Sequence, residues 1–425
     1  MIKKNLLNII IFLIILFFTL VLFFIFYRSE IYSGFSRFDY YKKYYFITLF
    51  FIFCFTISYF FSEKIKIISF IILFIISSTV YSFEIYLHYI GKPKYDTYKE
   101  YKKRLETNTK WAVQFPPSHI IDYYTTLFSE KNFLPLSGIS NVKTLHCNEN
   151  DYWATYESDR YGFNNQDKIW DSKIDIALIG DSYTAGACVN SEDNISGNLQ
   201  KFDLNVLNLG YGGNGPLIQL ASIIEYIPLV ETEKILWMYS SNDLDDLNKE
   251  KKNSTLTSYL KKKESLNLHK KQEVIDKVYL NYLKNYKKQS NFISIIKLER
   301  FRKKLNLIFK PKEKINIDLD YGDLINQDLK KILLTAKRIS ENNNQDFYFV
   351  YVPGRESFYS NSISYKKVNR LKPKIITMVE SLNIRIIDLE ELLKDEIPSE
   401  MFPKKGHYNS KGYQLIAEKL FENLQ

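Results

Sequence analysis

Three long apolar runs near the N-terminus limit what this chain can fold into. The first, residues 6–27, contains no charged residue and follows the basic pair Lys3 and Lys4. A helix of that length crosses a bilayer core of roughly 30 Å. A signal peptide would have a shorter apolar region that ends in small residues, whereas this run ends in Phe26 and Tyr27. The run therefore predicts a membrane span that is not cleaved.

Two further apolar runs, residues 44–61 and 67–87, are separated by a short charged turn. With the first run they predict three transmembrane helices in residues 1–91, the second and third forming a tight hairpin. The basic residues on the two sides of these spans do not decide the orientation, because each arrangement leaves several lysines or arginines in the cytoplasm. The raw count slightly favours an N-terminus outside the cytoplasm.

The cysteines bear on the orientation as well. Cys147 and Cys188 are the only cysteines outside the apolar runs, and Cys54 lies within the second run. A disulfide between the first two would suit an oxidising compartment, although spacing alone does not exclude two free thiols. We therefore expect a multi-pass protein, in a bacterial inner membrane, whose C-terminal part lies outside the cytoplasm. The few cysteines and histidines show no zinc-site spacing, so no metal is expected.

After about Lys92 the apolar runs shorten to strand length and alternate with amphipathic helices. The predicted strands are residues 174–179, 206–209, 235–239, 347–352 and 384–387, and the predicted helices are residues 196–200, 217–227, 327–340, 366–382 and 410–424. This alternation predicts a three-layer α/β/α sandwich around a parallel sheet. The sandwich would occupy residues 171–425, after a less regular lead-in at residues 92–170.

Residues 249–316 interrupt the alternation with 20 Lys/Arg and 6 Asp/Glu. The net charge of this basic segment exceeds the +10 of the whole chain, so the remainder is slightly acidic. The spacing of Val274, Val278, Leu280 and Leu283 predicts an inserted helical hairpin with a solvated basic face. Binding of an anionic lipid or an anionic polymer is the alternative. Nucleic acid is not an expected partner, since a membrane-tethered domain outside the cytoplasm would seldom meet it.

The first predicted strand ends in Gly180, Asp181 and Ser182. A serine at the carboxyl end of a parallel strand lies where open α/β sheets bind ligands. The helix that follows would direct its N–H groups towards a developing oxyanion. Serine alone is a weak nucleophile, so a catalytic role requires a base elsewhere in the chain. A simple turn between strand and helix is the alternative.

A glycine-rich loop, residues 208–216, follows the second predicted strand. Gly210, Gly212 and Gly215 match the G-x-G-x-x-G spacing of dinucleotide-binding loops. The strand is not the first of the series, and Pro216 opens the following helix, so no cofactor is expected. The loop can instead offer an unobstructed backbone N–H beside Ser182.

Two more polar residues lie next to predicted elements, one after a strand and one before a helix. Asn242 comes directly after the third strand and could donate a hydrogen bond to the same oxyanion, although asparagine is also a common turn residue. His407 precedes the last helix. From there an imidazole can reach across the strand ends and act as a general base near neutral pH.

Together these motifs resemble the four sequence blocks of the SGNH, or GDSL, hydrolases. The resemblance covers residues 174–424, and residues 158–164 also resemble the lead-in of cell-envelope members of that family. It implies an SGNH-like, flavodoxin-like fold with Ser182 as the nucleophile and His407 as the base. The backbone N–H groups of Ser182 and Gly213 and the amide of Asn242 would form the oxyanion hole.

The resemblance implies a membrane-anchored serine esterase or O-acyltransferase. Its acyl-serine intermediate would form on an ester, such as an O-acetyl group, of a cell-envelope glycan or lipid. The expected partners are therefore this acylated substrate and the lipid bilayer. The alternative is a catalytically reduced module that keeps the fold and binds an anionic polymer or a membrane surface.

One position departs from the family pattern. The family has an aspartate three residues before the histidine, and here that position is Lys404. Asp388, Glu400 or a backbone carbonyl could hold the imidazole instead. The adjacent Lys404 and Lys405 should also lower the pKa of His407.

Overall fold

The computed structural model describes residues 2–31, 38–90, 96–106, 110–114, 133–285, 291–309, 321–359 and 363–425. It divides into two compact units. The first comprises Met1–Lys92 with Lys288–Pro311, and the second comprises Pro93–Lys287 with Lys312–Gln425.

The first unit begins with three long helices, Ile2–Phe26, Phe38–Ser58 and Glu63–Ile90. The first, which continues into a π-helical turn to Ile31, and the third are long and apolar enough to cross a membrane. The middle helix carries Lys42 and Lys43 near its start, which leaves an uncharged stretch about 22 Å long. That is shorter than a bilayer core. The prediction of three transmembrane helices is therefore not confirmed.

Two short helices of the basic segment, Asn291–Ile296 and Glu299–Phe309, also belong to the first unit. The carboxylate of Glu84, on the third long helix, accepts hydrogen bonds from the backbone N–H groups of Arg300 (3.1 Å) and Phe301 (2.6 Å). Glu84 thus satisfies donors at the N-terminus of helix Glu299–Phe309. The basic segment, predicted as one inserted hairpin, is divided between the two units.

The second unit begins with helix Thr97–Leu105 and a small three-stranded sheet. Its strands are β1 (Trp111–Val113), β2 (Lys143–Leu145) and β3 (Thr155–Glu157). β2 and β3 are antiparallel and form a hairpin whose loop spans residues 146–154. The lead-in therefore contains regular structure that its sequence did not indicate.

The main sheet has five parallel strands, β4 (Ile174–Gly180), β5 (Val206–Asn208), β6 (Thr232–Ser240), β7 (Asp346–Val352) and β8 (Arg385–Asp388). They lie in the order β5-β4-β6-β7-β8, and every neighbouring pair is parallel. This is the strand order of flavodoxin-like folds. The predicted parallel sheet is confirmed.

Both faces of the sheet are buried. Along β6, Trp237 and Tyr239 point into one apolar core, while Leu236 and Met238 point into the other. The α-helices of the α/β part are Ser182–Ala185, Ile195–Gln200, Pro216–Tyr226, Asp243–Glu250, Ser254–Lys262, Gln272–Asn285, Lys330–Asn342, Ile363–Glu380, Leu389–Leu392, Pro398–Met401 and Ser410–Leu424, with a π-helical turn at Leu324–Leu329. The alternation of side chains along the central strand thus gives two cores and three layers.

In the part of the basic segment that joins the second unit, helix Gln272–Asn285 buries Ile275, Tyr279 and Leu283. Of the four predicted apolar positions, Leu283 is buried and Val278 packs against the core, whereas Val274 and Leu280 are exposed. The predicted face is therefore wrong at two of its four positions, because it included apolar residues that solvent reaches.

The lead-in motif at residues 158–164 is organised around a buried carboxylate. Asp159 is fully buried and accepts hydrogen bonds from the backbone N–H groups of Tyr161 (2.9 Å) and Phe163 (3.0 Å). It also accepts from the side chains of Asn165 (2.8 Å) and Trp170 (2.9 Å). Because all four donors converge on one carboxylate, Asp159 fixes the conformation of the whole motif.

Candidate active site

The predicted nucleophile lies directly after β4. Asp181 is fully buried, and its carboxylate accepts a hydrogen bond from the backbone N–H of Tyr183 at 2.9 Å, which caps the helix that begins at Ser182. At Gly180, a Cβ atom would lie 2.1 Å from the hydroxyl oxygen of Thr184. The strand therefore turns sharply into the helix, and Ser182 is left partly exposed at the carboxyl edge of the sheet.

The structure brings Ser182 and His407 together. The Oγ atom of Ser182 lies 2.9 Å from Nε2 of His407. The ring of Tyr183 contacts the imidazole at a centroid distance of 4.9 Å. The side chain of Asn409 caps the last helix by accepting a hydrogen bond from the backbone N–H of Gly412 at 2.9 Å. This cap anchors the loop that carries the histidine. A base is thus in place next to the candidate nucleophile.

Glu149, which the sequence did not reveal, holds the other side of the imidazole. Its Oε2 atom accepts hydrogen bonds from Nδ1 of His407 at 3.0 Å and from the backbone N–H of His407 at 2.7 Å. Asp388 instead caps a helix and pairs with Lys372, while Glu400 pairs with Lys411. The prediction that Asp388 or Glu400 holds the imidazole is therefore wrong.

The chain position of Glu149 explains why it was missed. The residue lies in the β2–β3 hairpin loop, 258 positions before His407, and belongs to no block of the resembled family. The only local signal was Cys147, two residues earlier. Cys147 forms a disulfide with Cys188, which confirms the predicted pairing and joins the hairpin loop to the segment just after the nucleophile.

The contact between Glu149 and His407 shifts the pKa of both side chains. Burial opposes the charged form of His407, but the hydrogen bond and the negative charge of Glu149, with smaller contributions from the charges of Asp181 and Glu356, raise the pKa of His407. Burial would raise the pKa of Glu149, yet its hydrogen bonds with His407 lower it. Lys404 and Lys405 are exposed. The predicted lowering of the His407 pKa is therefore wrong.

The glycine-rich loop lies against the nucleophile helix. The amide of Asn208 donates a hydrogen bond to the carbonyl oxygen of Thr184 at 2.8 Å. A Cβ atom at Gly210 would lie 2.6 Å from the backbone nitrogen of Ala185, so only glycine allows this approach. Gly213 has a φ of 80°, in the left-handed region that glycine favours. The loop that contains Gly213 is thus fixed beside the helix of Ser182.

A dinucleotide does not fit this loop. The helix after the loop begins at Pro216, and the carboxylate of Glu250 accepts hydrogen bonds from the backbone N–H groups of Gly215 (2.7 Å) and Leu217 (2.8 Å). In a dinucleotide site those N–H groups would bind the pyrophosphate. A buried side chain of the protein already satisfies them, which supports the interpretation of the loop as a structural neighbour of Ser182.

Asn242 lies among groups that fix its amide. Its Nδ2 atom donates to Asp246 at 2.8 Å, and its Oδ1 atom lies 2.8 Å from the hydroxyl of Ser240. The same hydroxyl lies 2.7 Å from the carboxylate of Asp181, the residue just before Ser182. The Asn242 amide also hydrogen-bonds the carboxylate of Asp181, so these contacts hold the amide beside the residue that precedes the nucleophile.

The disulfide lies close to the acid–base pair. One carboxylate oxygen of Glu149, one ring nitrogen of His407 and the sulfur of Cys188 all lie within 4.8 Å of one another. A sulfur in a disulfide offers no thiolate, so this cluster does not have the ligands of a metal site. The proximity instead places the bridge beside the residues that orient the imidazole.

No known family model matches the chain, and no curated protein matches it. Solved structures of lipolytic proteins do match it. A protein of the G-D-S-L family from Desulfitobacterium hafniense is 12% identical, with a TM-score of 0.34 and coverage of 59% of this chain and 99% of its own. The chain is similar to GDSL-family proteins.

Two further similar structures are enzymes by name. An acetylxylan esterase from Geobacillus stearothermophilus is 12% identical, with a TM-score of 0.34 and coverage of 60% of this chain and 94% of its own. A lipase/acylhydrolase from Enterococcus faecalis is 13% identical, with a TM-score of 0.34 and coverage of 59% and 95%.

Proposed function

We propose that the protein is a serine esterase or O-acyltransferase that works through an acyl-serine intermediate. The observation that carries the proposal is the contact of 2.9 Å between Ser182 Oγ and His407 Nε2, with Glu149 bound to the opposite ring nitrogen. A serine, an imidazole and a carboxylate in that order form the arrangement that activates a hydroxyl for acyl transfer.

The geometry supports a two-step reaction. Ser182 Oγ attacks the carbonyl carbon of the ester while Nε2 of His407 takes the hydroxyl proton. The tetrahedral oxyanion is stabilised by the N–H groups of Ser182 and Gly213 and by the amide of Asn242. His407 then returns the proton to the leaving alcohol. In the second step water or a sugar hydroxyl, deprotonated by His407, attacks the acyl-serine and releases Ser182.

The non-catalytic alternative loses its main support. That hypothesis rested on the missing acid at position 404, and Glu149 supplies a carboxylate at the imidazole instead. The direct test is turnover of a neutral chromogenic ester, 4-nitrophenyl acetate, by the detergent-solubilised chain. Turnover that is absent, or equal in the Ser182→Ala variant, would contradict the proposal.

The amide of Asn242 gives a prediction about oxyanion stabilisation. Asn242→Ala is expected to lower kcat/KM about a hundredfold, since one oxyanion donor contributes about 3 kcal/mol to the transition state. Asp246→Ala removes one of the contacts that fix the amide and keeps its contact with Ser240, so we expect a smaller loss, in kcat rather than KM. Steady-state kinetics with 4-nitrophenyl acetate measures both.

A matched control exists on the same helix. Asp245 binds Lys367 and Tyr321, and its side chain is 45% exposed. Asp245→Ala should therefore leave kcat/KM unchanged. Equal losses in the Asp245 and Asp246 variants would show that the helix, rather than the position of the Asn242 amide, matters.

We propose that the first unit anchors the protein in a membrane and that the substrate is an ester of a cell-envelope glycan or lipid. The two apolar helices support the anchor by their length and composition. Helix Glu299–Phe309 is bound to the third long helix near its C-terminal end, where a bilayer surface would lie. Lys303 and Lys304 on this helix are exposed, so anionic lipid headgroups are the partner that we propose for this part of the basic segment.

The disulfide between Cys147 and Cys188 predicts the side of the membrane on which the second unit lies. Such bridges persist outside the cytoplasm, so we expect an extracytoplasmic C-terminus. Alkaline phosphatase fused after Gln425 should be active in cells, whereas a fluorescent protein that matures only in the cytoplasm should stay dark there. The reverse pattern would contradict this orientation.

A further inference from the structure

We propose that Glu149 is the positioning acid of a Ser182–His407–Glu149 triad and that the Cys147–Cys188 disulfide holds it there. The proposal rests on the proposed acyl-transfer function and adds two requirements for it. One is a carboxylate from outside the four conserved blocks of the resembled family. The other is a covalent bridge beside the active site that keeps this carboxylate at the imidazole.

The contacts of Glu149 with His407 fix both the ring and its protonation. The single Oε2 atom accepts two hydrogen bonds, one from Nδ1–H and one from the backbone N–H of His407. A carboxylate at Nδ1 keeps the proton on that nitrogen, and Nε2 then presents its lone pair to Ser182 Oγ. The backbone contact holds the histidine loop at the same point, so Glu149 orients the ring in two ways.

Glu149 lies in a hairpin loop and needs support to stay there. The loop is closed by a hydrogen bond of 2.9 Å from the backbone N–H of Ala154 to the carbonyl oxygen of Cys147. The amide of Asn150 donates to the carbonyl oxygen of Cys188 at 3.1 Å. The disulfide therefore joins the loop at a residue two positions before Glu149 to a residue six positions after Ser182.

The histidine loop is shaped to receive this carboxylate. Gly406 has a φ of 109°, and a Cβ atom there would lie 2.1 Å from Oε2 of Glu149. Any side chain at position 406 would therefore displace Glu149 or the loop. Lys404, at the position where the family has its acid, is exposed to solvent, and Glu149 contacts the imidazole instead.

The test is a double-mutant cycle on the detergent-solubilised full chain. Four proteins are compared: the wild type, Glu149→Gln, the paired variant Cys147→Ser/Cys188→Ser, and the combination of all three changes. Their kcat/KM for 4-nitrophenyl acetate is measured against pH. Glu157→Gln, a change on the exposed part of the same hairpin, is the matched control and should behave as the wild type.

We expect Glu149→Gln to lower kcat/KM at least about a hundredfold, because the amide cannot hold the Nδ1 proton as a carboxylate does. The acidic limb of its pH profile should move to lower pH, since the Glu149 carboxylate contributes most to raising the pKa of His407 against burial. In the paired cysteine variant kcat/KM should fall at least about tenfold. Adding Glu149→Gln to that variant should lower kcat/KM by a smaller factor than it does in the bridged chain. A full additional loss, or wild-type activity without the bridge, would overturn the role of the disulfide.

Two further measurements keep the proposal testable. Gly406→Ala leaves the bridge intact and should reproduce the effect of Glu149→Gln on kcat/KM. This variant therefore tests the position of the Glu149 carboxylate even if the cysteine variant does not fold. The titration of His407, followed by ¹³C-histidine NMR among the five histidines of the chain, should move to lower pH in Glu149→Gln whether or not the protein turns over esters. An unchanged titration would overturn the assignment of Glu149, whereas absent turnover with a shifted titration would contradict only the proposed function.

Discussion

Replacing Ser182 by alanine is expected to lower kcat/KM for 4-nitrophenyl acetate at least about 10⁴-fold, since the acyl-serine can no longer form. His407→Ala should cause a loss of similar size, because an unactivated serine hydroxyl is a weak nucleophile. The contact of 2.9 Å between the two side chains predicts that they act as a unit. The double variant should therefore be no slower than either single variant.

A matched control is Ser191→Ala. The hydroxyl of Ser191 donates to the side chain of Asn164 at 2.7 Å and has no part in the proposed reaction. This variant should keep wild-type turnover. Ser182 and His407 would not be a nucleophile and its base if Ser182→Ala also kept wild-type turnover. The same conclusion would follow if the loss in the double variant equalled the product of the two single losses.

Replacing Asp159 by alanine is expected to destabilise the second unit by more than about 3 kcal/mol. The change leaves two backbone N–H groups, the amide of Asn165 and the indole N–H of Trp170 without their buried acceptor. Asn165 also pairs with Asn208 at the glycine-rich loop, so the damage should extend to the active site. The midpoint of thermal unfolding, followed in detergent, should fall by several degrees.

The control for stability is Asp171→Ala. Asp171 pairs with Arg160 in the same part of the chain, but its side chain is 66% exposed. Exposed ion pairs contribute about 1 kcal/mol or less, so the midpoint should change little. Equal midpoints for the Asp159 and Asp171 variants would mean that the buried carboxylate does not hold the lead-in motif together.

The sequence predicted those parts of the fold and the site that depend on local patterns. The five strands stood out because each contains a short apolar run, and all but the partly buried edge strand β8 are buried on both faces, as Leu236 and Trp237 show on β6. Ser182 and His407 were identifiable because each follows or precedes a regular element at the carboxyl edge of the sheet. Parallel strands carry such residues to a common edge, and the structure places the two side chains in contact.

The remaining features depend on contacts between distant segments. Glu149 lies in a hairpin loop with no motif of its own, and its partner is 258 residues away. In the first unit, part of the basic segment is bound through Glu84, a carboxylate in the predicted third span that no motif marked as a partner of residues 300 and 301. The buried face of helix Gln272–Asn285 was misjudged because apolar residues lie on more than one side of it. Each of these required the folded chain.

The most direct test of the account is covalent labelling of the solubilised protein with a fluorophosphonate, read by mass spectrometry on the peptide that contains residue 182. The account predicts one adduct, on Ser182, that forms in the wild type and is strongly reduced in His407→Ala. Folded protein that stays unlabelled, or that carries its adduct on another residue, would contradict the claim that Ser182 is an activated nucleophile.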